Sequence, residues 1–233
     1  MQQPGRDCEL CPRLCAFRAE NRRQFPDWHN APVPSFGSAD ARILIVGLAP
    51  GLRGANRTGR PFTGDHAGEL LFATLKALGL AEGEYRRSLD DGLRLVDCRI
   101  TNAVRCAPPA NRPTPAEVRT CGAFLQEEIA SLPRLQVLVA LGSIAHDAVT
   151  AAVGARHPRR AFAHGAWHDV SAHQVGSVPA PHGARRLLLD SYHCSRQNTN
   201  TGRLTSSMFE SVLAAARAAV VEGEGTEASF TRS

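Results

Sequence analysis

The sequence predicts a single α/β domain over residues 1–221, built on a central, mainly parallel sheet with helices on both faces. The chain of 233 residues is long enough for one sizeable core and requires no second domain. The predicted strand at residues 136–141 is nearly all apolar, as expected when helices cover both faces of a sheet. Predicted strands alternate with amphipathic helices, and this order is typical of βαβ units.

Four strands and the helices between them carry this prediction. The strands are expected at residues 43–46, 95–100, 136–141 and 186–192. Residues 67–80 carry leucines at helical spacing, and Asp65 stands where a helix N-cap is expected. Thr114 and Glu117 form a capping box with Pro115 at the first helical position, which predicts a helix to about Ser131.

The remaining segments give weaker patterns. Ser143 is expected to cap a helix toward residue 153, and residues 205–221 form a final helix that closes the core. Residues 19–41 are polar and rich in proline, which predicts a crossing loop with one helical turn. Residues 155–186 predict a short hairpin near 162–170 with solvent-facing histidines, whereas His146 is expected to be structural. Residues 222–233 are expected to be a disordered tail.

The charge of the chain favours a nucleic-acid partner. The formal charge is +5, and Lys76 is the only lysine, so nearly all the cationic side chains are arginines, which bind phosphate with two parallel hydrogen bonds. Codon usage in a GC-rich genome explains this arginine content equally well. No apolar stretch approaches the length of a membrane span. We therefore expect a cytoplasmic, nucleoid-associated monomer that binds no membrane.

The cysteines indicate a metal centre. There are seven, an odd number that argues against a simple secreted disulfide framework. Cys8 and Cys11 form a CxxC pair, while Cys106 and Cys121 are separated by fourteen residues. Four thiolates suit an iron–sulfur cluster or a zinc ion. Cys15 is expected to be a bystander thiol near that centre.

Three polar residues follow three different predicted strands. Asp65 ends a loop with five glycines between Gly47 and Gly64, Asn102 follows the second strand, and His193 follows the last. Because the carboxyl ends of parallel strands meet at one edge of a sheet, we expect these side chains to share a cleft. A carboxylate, an amide and an imidazole together can position water, bind a base edge and stabilise an anion.

Three stretches resemble motifs of a known family: GLAPG followed by NRTGRPFTGD, then TNAVRCAPP, then HCSRQNT. These stretches are similar to motifs 1, 2 and 3 of the uracil-DNA glycosylase superfamily, specifically its family 5 (type b) enzymes. The resemblance implies a monofunctional DNA repair glycosylase that flips uracil out of DNA and hydrolyses its glycosidic bond. It also implies activity on other deaminated bases, such as hypoxanthine or xanthine.

The resemblance also implies roles for individual residues. The catalytic residues are expected to be Asp65, His193 and Asn102, and the base-binding residues Gly47, Ala49, Phe62 and Asn102. The DNA-binding residues are expected to be Asn56, Arg57, Arg196, Gln197 and Asn198. A [4Fe–4S] cluster is expected on Cys8, Cys11, Cys106 and Cys121, with zinc as the alternative. Family 4 enzymes carry a glutamate where this chain has Leu48, so the catalytic carboxylate is assigned to Asp65.

Two other functions are compatible with parts of the sequence. A non-catalytic iron–sulfur protein that binds nucleic acid or senses redox state would share the cysteines and arginines. It would not need Asp65, Asn102 and His193 together. A nucleotide-binding enzyme could use the glycine loop as a phosphate cradle, but the chain contains neither GxGxxG nor GxxxxGK[ST].

Overall fold

The computed structural model describes residues 3–155, 160–171 and 186–227, and the elements below refer to these ranges. The helices are α1 (Pro12–Gln24), α2 (Ala55–Thr58), α3 (His66–Ala77), α4 (Pro115–Ser131), α5 (Ser143–Ala152), α6 (Arg196–Asn200) and α7 (Ser206–Glu227). The strands are β1 (Phe36–Gly37), β2 (Ile43–Gly47), β3 (Ala81–Glu82), β4 (Arg94–Leu95), β5 (Cys98–Asn102), β6 (Val137–Leu141), β7 (Trp167–Asp169) and β8 (Leu187–Ser191).

The main sheet has the strand order β1-β5-β2-β6-β8-β7. The four central strands are parallel, and the short strands β1 and β7 are antiparallel at the two edges. Gly47 pairs with Asn102, and Leu141 pairs with Ser191, so the central strands end at the same edge. The predicted fold class is confirmed, and this edge is where the polar loop residues are expected to meet.

Both faces of the sheet are buried under helices. In β2 the side chains of Ile43 and Ile45 belong to one core cluster, and those of Leu44 and Val46 belong to the other. Residues of α3 and α7 complete the first cluster, and residues of α4 and α5 complete the second. The continuous apolar strands follow from this, because neither face of the central strands meets water.

The local capping signals of two helices are confirmed. The carboxylate of Asp65 accepts a hydrogen bond from the Gly68 amide at 3.1 Å, at the start of α3. The capping box of Thr114 and Glu117 begins α4. The prediction that Ser143 caps a helix is wrong, because α5 begins at Ser143 itself and its N-cap is Gly142, which has a positive φ of 95°.

Helix α1 was not expected from the sequence. It covers 13 residues and includes part of the predicted loop at 19–41. Few of its side chains are buried, and two of them, Arg18 and Asn21, are polar, so the helix lacks the apolar stripe that signals amphipathic helices. Proline at its first position is the signal that the sequence did contain.

The histidine-rich segment also differs from its prediction where the structure describes it. Strand β7 pairs with β8 instead of forming a hairpin of its own. His168 bonds to Asp190 at 2.9 Å, and the amide of Tyr192 donates to Nδ1 of His164 at 3.1 Å, so these two histidines do not simply face solvent. His146, predicted to be structural, is buried and bonds to Asp190 at 2.8 Å. His157, His173 and His182 lie outside the described residues.

The last helix is longer than predicted. It continues to Glu227, six residues into the segment expected to be a tail, while residues 228–233 lie outside the described part of the chain. Among the described helices, none combines the length and the apolar character that a membrane crossing needs.

Candidate active site

A cleft of about 920 Å³ opens at the carboxyl edge of the sheet. Asp65, Asn102 and His193, which come from three separate loops, all line it, and Phe62 and Ala49 line it with them. The chain therefore brings the three predicted catalytic residues together. The size falls within the range typical of small-molecule pockets, which leaves room for a nucleobase and part of its sugar.

The amide of Asn102 has no partner within the described structure. Asn102 is the last residue of β5 and is 3% exposed, yet no hydrogen bond from a described residue reaches its side chain. A β-carbon placed on its neighbour Gly47 would lie 2.5 Å from Oδ1 of Asn102 and 2.6 Å from the Phe62 ring. Glycine at position 47 therefore lets the amide and the ring lie side by side. A buried amide without a partner is ready for a ligand that offers both a donor and an acceptor.

Phe62 is held in a strained backbone conformation. Its φ is 55°, in the left-handed region that non-glycine residues rarely adopt. The Tyr85 hydroxyl lies 3.3 Å from the Phe62 carbonyl and also accepts a hydrogen bond from the Gly64 amide at 3.0 Å. A β-carbon on Gly68 would lie only 1.7 Å from the same carbonyl, so α3 can approach Phe62 only because this residue is glycine. Backbone strain that costs about 1–3 kcal/mol persists where the surrounding contacts enforce it.

A buried ion pair stabilises the loop that carries Phe62. The guanidinium of Arg60 donates to both carboxylate oxygens of Asp91, at 2.8 and 2.7 Å, and both side chains are buried. Burial acts to raise the pKa of Asp91, but the hydrogen bonds from Arg60 outweigh it and hold the pKa well below its usual range. The pair is therefore ionised, and it fixes the residue two positions before Phe62.

Asp65 combines a structural bond with a second oxygen near the cleft. Its Oδ1 caps α3, while Oδ2 lies 2.7 Å from the position of a β-carbon on Gly54, so the glycine loop makes room for it. Burial raises the pKa of Asp65, against the opposing hydrogen bonds from the Gly68 and Ala67 amides. A carboxylate with a raised pKa is a stronger base than an exposed one.

His193 also has no hydrogen-bond partner for its ring among the described residues. The ring lies 5.9 Å from the Phe62 ring, centroid to centroid, with the two planes 26° apart. Burial lowers the pKa of His193 to about 4, so the imidazole is neutral at physiological pH. A neutral imidazole carries one N–H, which can donate a hydrogen bond into the cleft.

The rim of the cleft is cationic. Arg53 and Arg112 lie on two different loops around it, and Arg196 and Gln197 lie at the start of α6. Among the described residues that line the cleft, Asp65 is the only acid. Arg196 and Gln197 were predicted to bind DNA, whereas Arg53 and Arg112 were missed. The signal that could have identified them was their position in loops that directly follow β2 and β5.

Three predicted DNA-binding residues are placed differently from the expectation. Asn56 is 4% exposed and its amide donates to the side chain of Asn30 at 2.8 Å, so it stabilises the loop internally. The amide of Asn198 donates to the carbonyl of His193 at 2.8 Å and therefore supports the loop that carries His193. Arg57 is exposed but lies outside the lining of the cleft.

The predicted metal ligands form a separate site. Cys8, Cys11, Cys106 and Cys121 line one small apolar pocket between the N-terminal segment, α1 and α4, and Cys15 lines it with them. Cys15 donates to the carbonyl of Cys8 at 3.2 Å, which agrees with a role beside the ligands. The amide of Arg105 donates to Sγ of Cys121 at 3.3 Å. Amide donors to sulfur are a general feature of cluster sites.

The thiols of this pocket are not drawn together as tightly as the ligands of a bound zinc ion. Within the described structure, the only trio of histidine, cysteine or acidic side chains with ligand atoms within 4.8 Å of one another is His146, His168 and Asp190. No three of the cysteine sulfurs therefore come that close. A tetrahedral zinc site with Zn–S bonds of about 2.3 Å needs sulfurs about 3.8 Å apart. Four thiolates that line one pocket are a donor set that suits an iron–sulfur cluster, and by ligand count also zinc.

The fold and the cleft define a class of α/β protein with a polar pocket at the carboxyl edge of a mainly parallel sheet. A family model described as the uracil DNA glycosylase superfamily matches residues 34–217, and the chain belongs to that superfamily. The expected family is thereby confirmed.

Relatives within the superfamily divide by how much of the chain they match. The type-5 uracil-DNA glycosylase of Thermus thermophilus is 49% identical over 216 residues, which is 90% of this chain and 92% of the relative. The type-5 uracil-DNA glycosylase of Pyrobaculum aerophilum is 41% identical over 91% of this chain and 88% of its own length. The type-4 uracil-DNA glycosylase of Archaeoglobus fulgidus is 40% identical over only 48% of this chain. The similarity to type-5 proteins therefore extends over most of the domain.

Proposed function

We propose that this protein is a uracil-DNA glycosylase of type 5, which hydrolyses the glycosidic bond of deoxyuridine in DNA and leaves an abasic site for base excision repair. The observation that carries the proposal is the pair of unpartnered groups in the cleft, the Asn102 amide and the His193 imidazole. Both face the same space as Phe62 and Asp65. The type-5 relatives extend over most of this chain and support the same activity.

The binding step uses the floor of the cleft. The target nucleotide must leave the duplex, which costs a few kcal/mol of unstacking. Phe62 stacks on the extruded base, and the amide of Asn102 donates to one atom of the base edge and accepts from another. Gly47 and Ala49 keep the wall behind the base small. Gln197, with Arg196, fills the space that the base leaves in the duplex, and Arg53 and Arg112 bind phosphates.

The chemical step needs two opposite electrostatic functions. As the glycosidic bond breaks, negative charge develops on the leaving base and positive charge on the sugar. The neutral imidazole of His193 donates a hydrogen bond to the base oxygen that becomes negative, and this interaction strengthens in the transition state. The carboxylate of Asp65 offsets the sugar charge and orients the attacking water, and its raised pKa favours accepting the water proton.

The proposed cofactor is a [4Fe–4S] cluster on Cys8, Cys11, Cys106 and Cys121. Bound there, it supplies a covalent cross-link between the N-terminal segment and α4, and it stands apart from the cleft. Purified protein that contains it should absorb near 400 nm, roughly where charge transfer of cysteine-ligated clusters falls. Bound zinc without this absorption band would contradict the assignment.

Excision of uracil from a labelled duplex, read out as alkali-labile strand breaks, tests the activity. We expect release of uracil by the wild-type protein and a rate lower by about 10²–10⁴-fold for Asp65→Asn, since general-base contributions have that size. Asp147→Asn is the matched control, because Asp147 is exposed on α5 outside the cleft lining. Duplexes with hypoxanthine or xanthine extend the test to the proposed wider substrate range.

The outcome also distinguishes the rival function. DNA binding with no base release, in protein that carries its cluster, would instead support a non-catalytic iron–sulfur protein. Equal rates for wild type and Asp65→Asn would remove Asp65 from the mechanism while leaving the activity in place.

A further inference from the structure

Helix α1 carries four arginines, and one of them has an unusual environment. Arg13 pairs with Glu117 at 2.7 Å, and Arg22 pairs with Asp7 at 2.6 Å. Arg23 forms an exposed ion pair with Glu20, one helical turn earlier. Arg18 forms no ion pair with a carboxylate in the described structure, although it is the most buried of the four, with 8% exposure.

The guanidinium of Arg18 contacts the cysteine site instead. One nitrogen donates to Sγ of Cys106 at 3.5 Å, and another donates to the carbonyl of Cys8 at 2.7 Å. Arg18 thereby joins the N-terminal ligand pair to the second pair. The two bonds use separate nitrogens of one planar group, which lysine cannot reproduce.

Burying a cation without an anionic partner is costly, so the environment of Arg18 points to an anion in this pocket. Of the two groups that accept hydrogen bonds from Arg18, only the Cys106 sulfur can carry such a charge, as a thiolate. The other nearby arginine does not replace it, because the guanidinium of Arg105 is paired with Glu128 and only its backbone amide contacts a thiol.

We propose that Arg18 is the counter-charge of the cluster: its guanidinium stabilises the ligated Cys106 thiolate, raises the reduction potential of the cluster and fastens the Cys8 loop over it. This inference rests on the proposed cofactor. Four thiolates outweigh the positive charge of the iron–sulfur core, and one-electron reduction adds a further negative charge. A buried cation in contact with a ligand sulfur therefore favours the reduced cluster over the oxidised one.

The test is a dithionite titration of the purified, cluster-containing protein, followed at the visible absorption band. We expect Arg18→Met to disfavour one-electron reduction by about tenfold, equivalent to about 59 mV. Arg18→Gln, which keeps an N–H donor but no charge, should shift the potential in the same direction. Arg18→Lys, which keeps the charge, should shift it less. An unchanged potential in both Arg18→Met and Arg18→Gln would overturn the proposal.

Two controls separate charge at the cluster from other effects. Arg23→Met removes the same charge from an exposed position on the same helix and should leave the potential unchanged. Arg22→Met removes bonds to Asp7 and to the Arg6 and Asn30 carbonyls, so it loosens the N-terminal segment without removing a thiol contact. We expect Arg22→Met to leave the potential unchanged as well. Equal shifts in Arg18→Met and Arg22→Met would contradict the direct role of Arg18.

The rate of iron loss to a chelator provides a second readout if a variant binds its cluster weakly. We expect faster loss from Arg18→Met and Arg18→Gln than from Arg23→Met, because only the first two release the Cys8 loop. Equal rates in all three would argue against the fastening role. Absence of iron and of the visible band from the wild-type protein would be a failure of the proposed cofactor itself, which these comparisons among variants distinguish from a failure of the inference.

Discussion

Gly47→Ala is the substitution whose effect follows most directly from the geometry of the cleft. The new β-carbon would lie 2.5 Å from Oδ1 of Asn102 and 2.6 Å from the Phe62 ring, whereas ordinary contacts begin near 3.4 Å. The side chains of Phe62 and Asn102 must therefore move by about 0.8–0.9 Å, which displaces the two groups that we propose bind the base. Overpacking of this kind typically costs about 1–3 kcal/mol.

The overpacking cost of Gly47→Ala predicts how much uracil release should slow. If the cost falls on the complex with the flipped base, uracil release slows by about 5- to 150-fold, since each 1.36 kcal/mol corresponds to a factor of ten. The assay is single-turnover release from a uracil duplex at saturating enzyme, with DNA affinity measured separately. We expect the rate to fall while affinity for undamaged duplex, which depends on the rim arginines, stays the same.

Gly122→Ala provides the control. A β-carbon there would meet no atom within 4 Å, and Gly122 lies inside α4, so alanine should stabilise the fold by about 0.5–1 kcal/mol without changing the rate. A folded Gly47→Ala protein that releases uracil at the wild-type rate would refute the assignment of this wall to the base.

Three further predictions concern Asp65, His193 and Asp91. Asp65→Asn and Asp65→Ala should both slow base release. In urea unfolding only Asp65→Ala should lower the free energy of unfolding, by about 1 kcal/mol, because asparagine still caps α3. Equal unfolding curves for the two variants would contradict the capping role. Burial lowers the pKa of His193 from 6.5 to about 4 in the folded protein. Between these pH values the imidazole is protonated in the unfolded chain but neutral in the folded protein, so the free energy of unfolding falls as the pH drops from 6.5 to 4. His193→Gln should flatten the dependence of Tm on pH between 6.5 and 4, and parallel curves would be evidence against a neutral imidazole in the folded protein. Asp91→Asn leaves the Arg60 cation buried without its partner and should cost about 3–5 kcal/mol of unfolding free energy, whereas Glu82→Gln in the exposed pair with Arg94 should cost about 1 kcal/mol or less.

The parts of the fold that were predictable depend on local chemistry. Asp65 and Thr114 are capping residues whose partners lie three positions away, so a short stretch of sequence contains the whole interaction. The central strands are predictable because both of their faces are buried, so their sequences are almost continuously apolar. The meeting of Asp65, Asn102 and His193 follows from parallel topology, which places loops that are distant in sequence at one edge.

The parts that were missed depend on partners far away in the chain. Helix α1 packs mainly through Leu14 against Val104 and Cys121, so its own sequence gives little amphipathic signal. Asn56 is a loop residue of the kind that often binds DNA, but its partner Asn30 is 26 positions away and no local pattern reveals that bond. Arg53 and Arg112 resemble other surface arginines until the cleft between their loops is known.

The contact between the Phe62 carbonyl and Gly68 limits how this pocket can vary. Because the start of α3 sits against that carbonyl with no space for a side chain, the segment between Phe62 and Gly68 cannot gain or lose a residue without displacing the aromatic ring. We therefore expect proteins that share this Phe62–Gly68 contact to differ in substrate range through the side chains around the Phe62 ring. We do not expect them to differ in the length of the segment between Phe62 and Gly68.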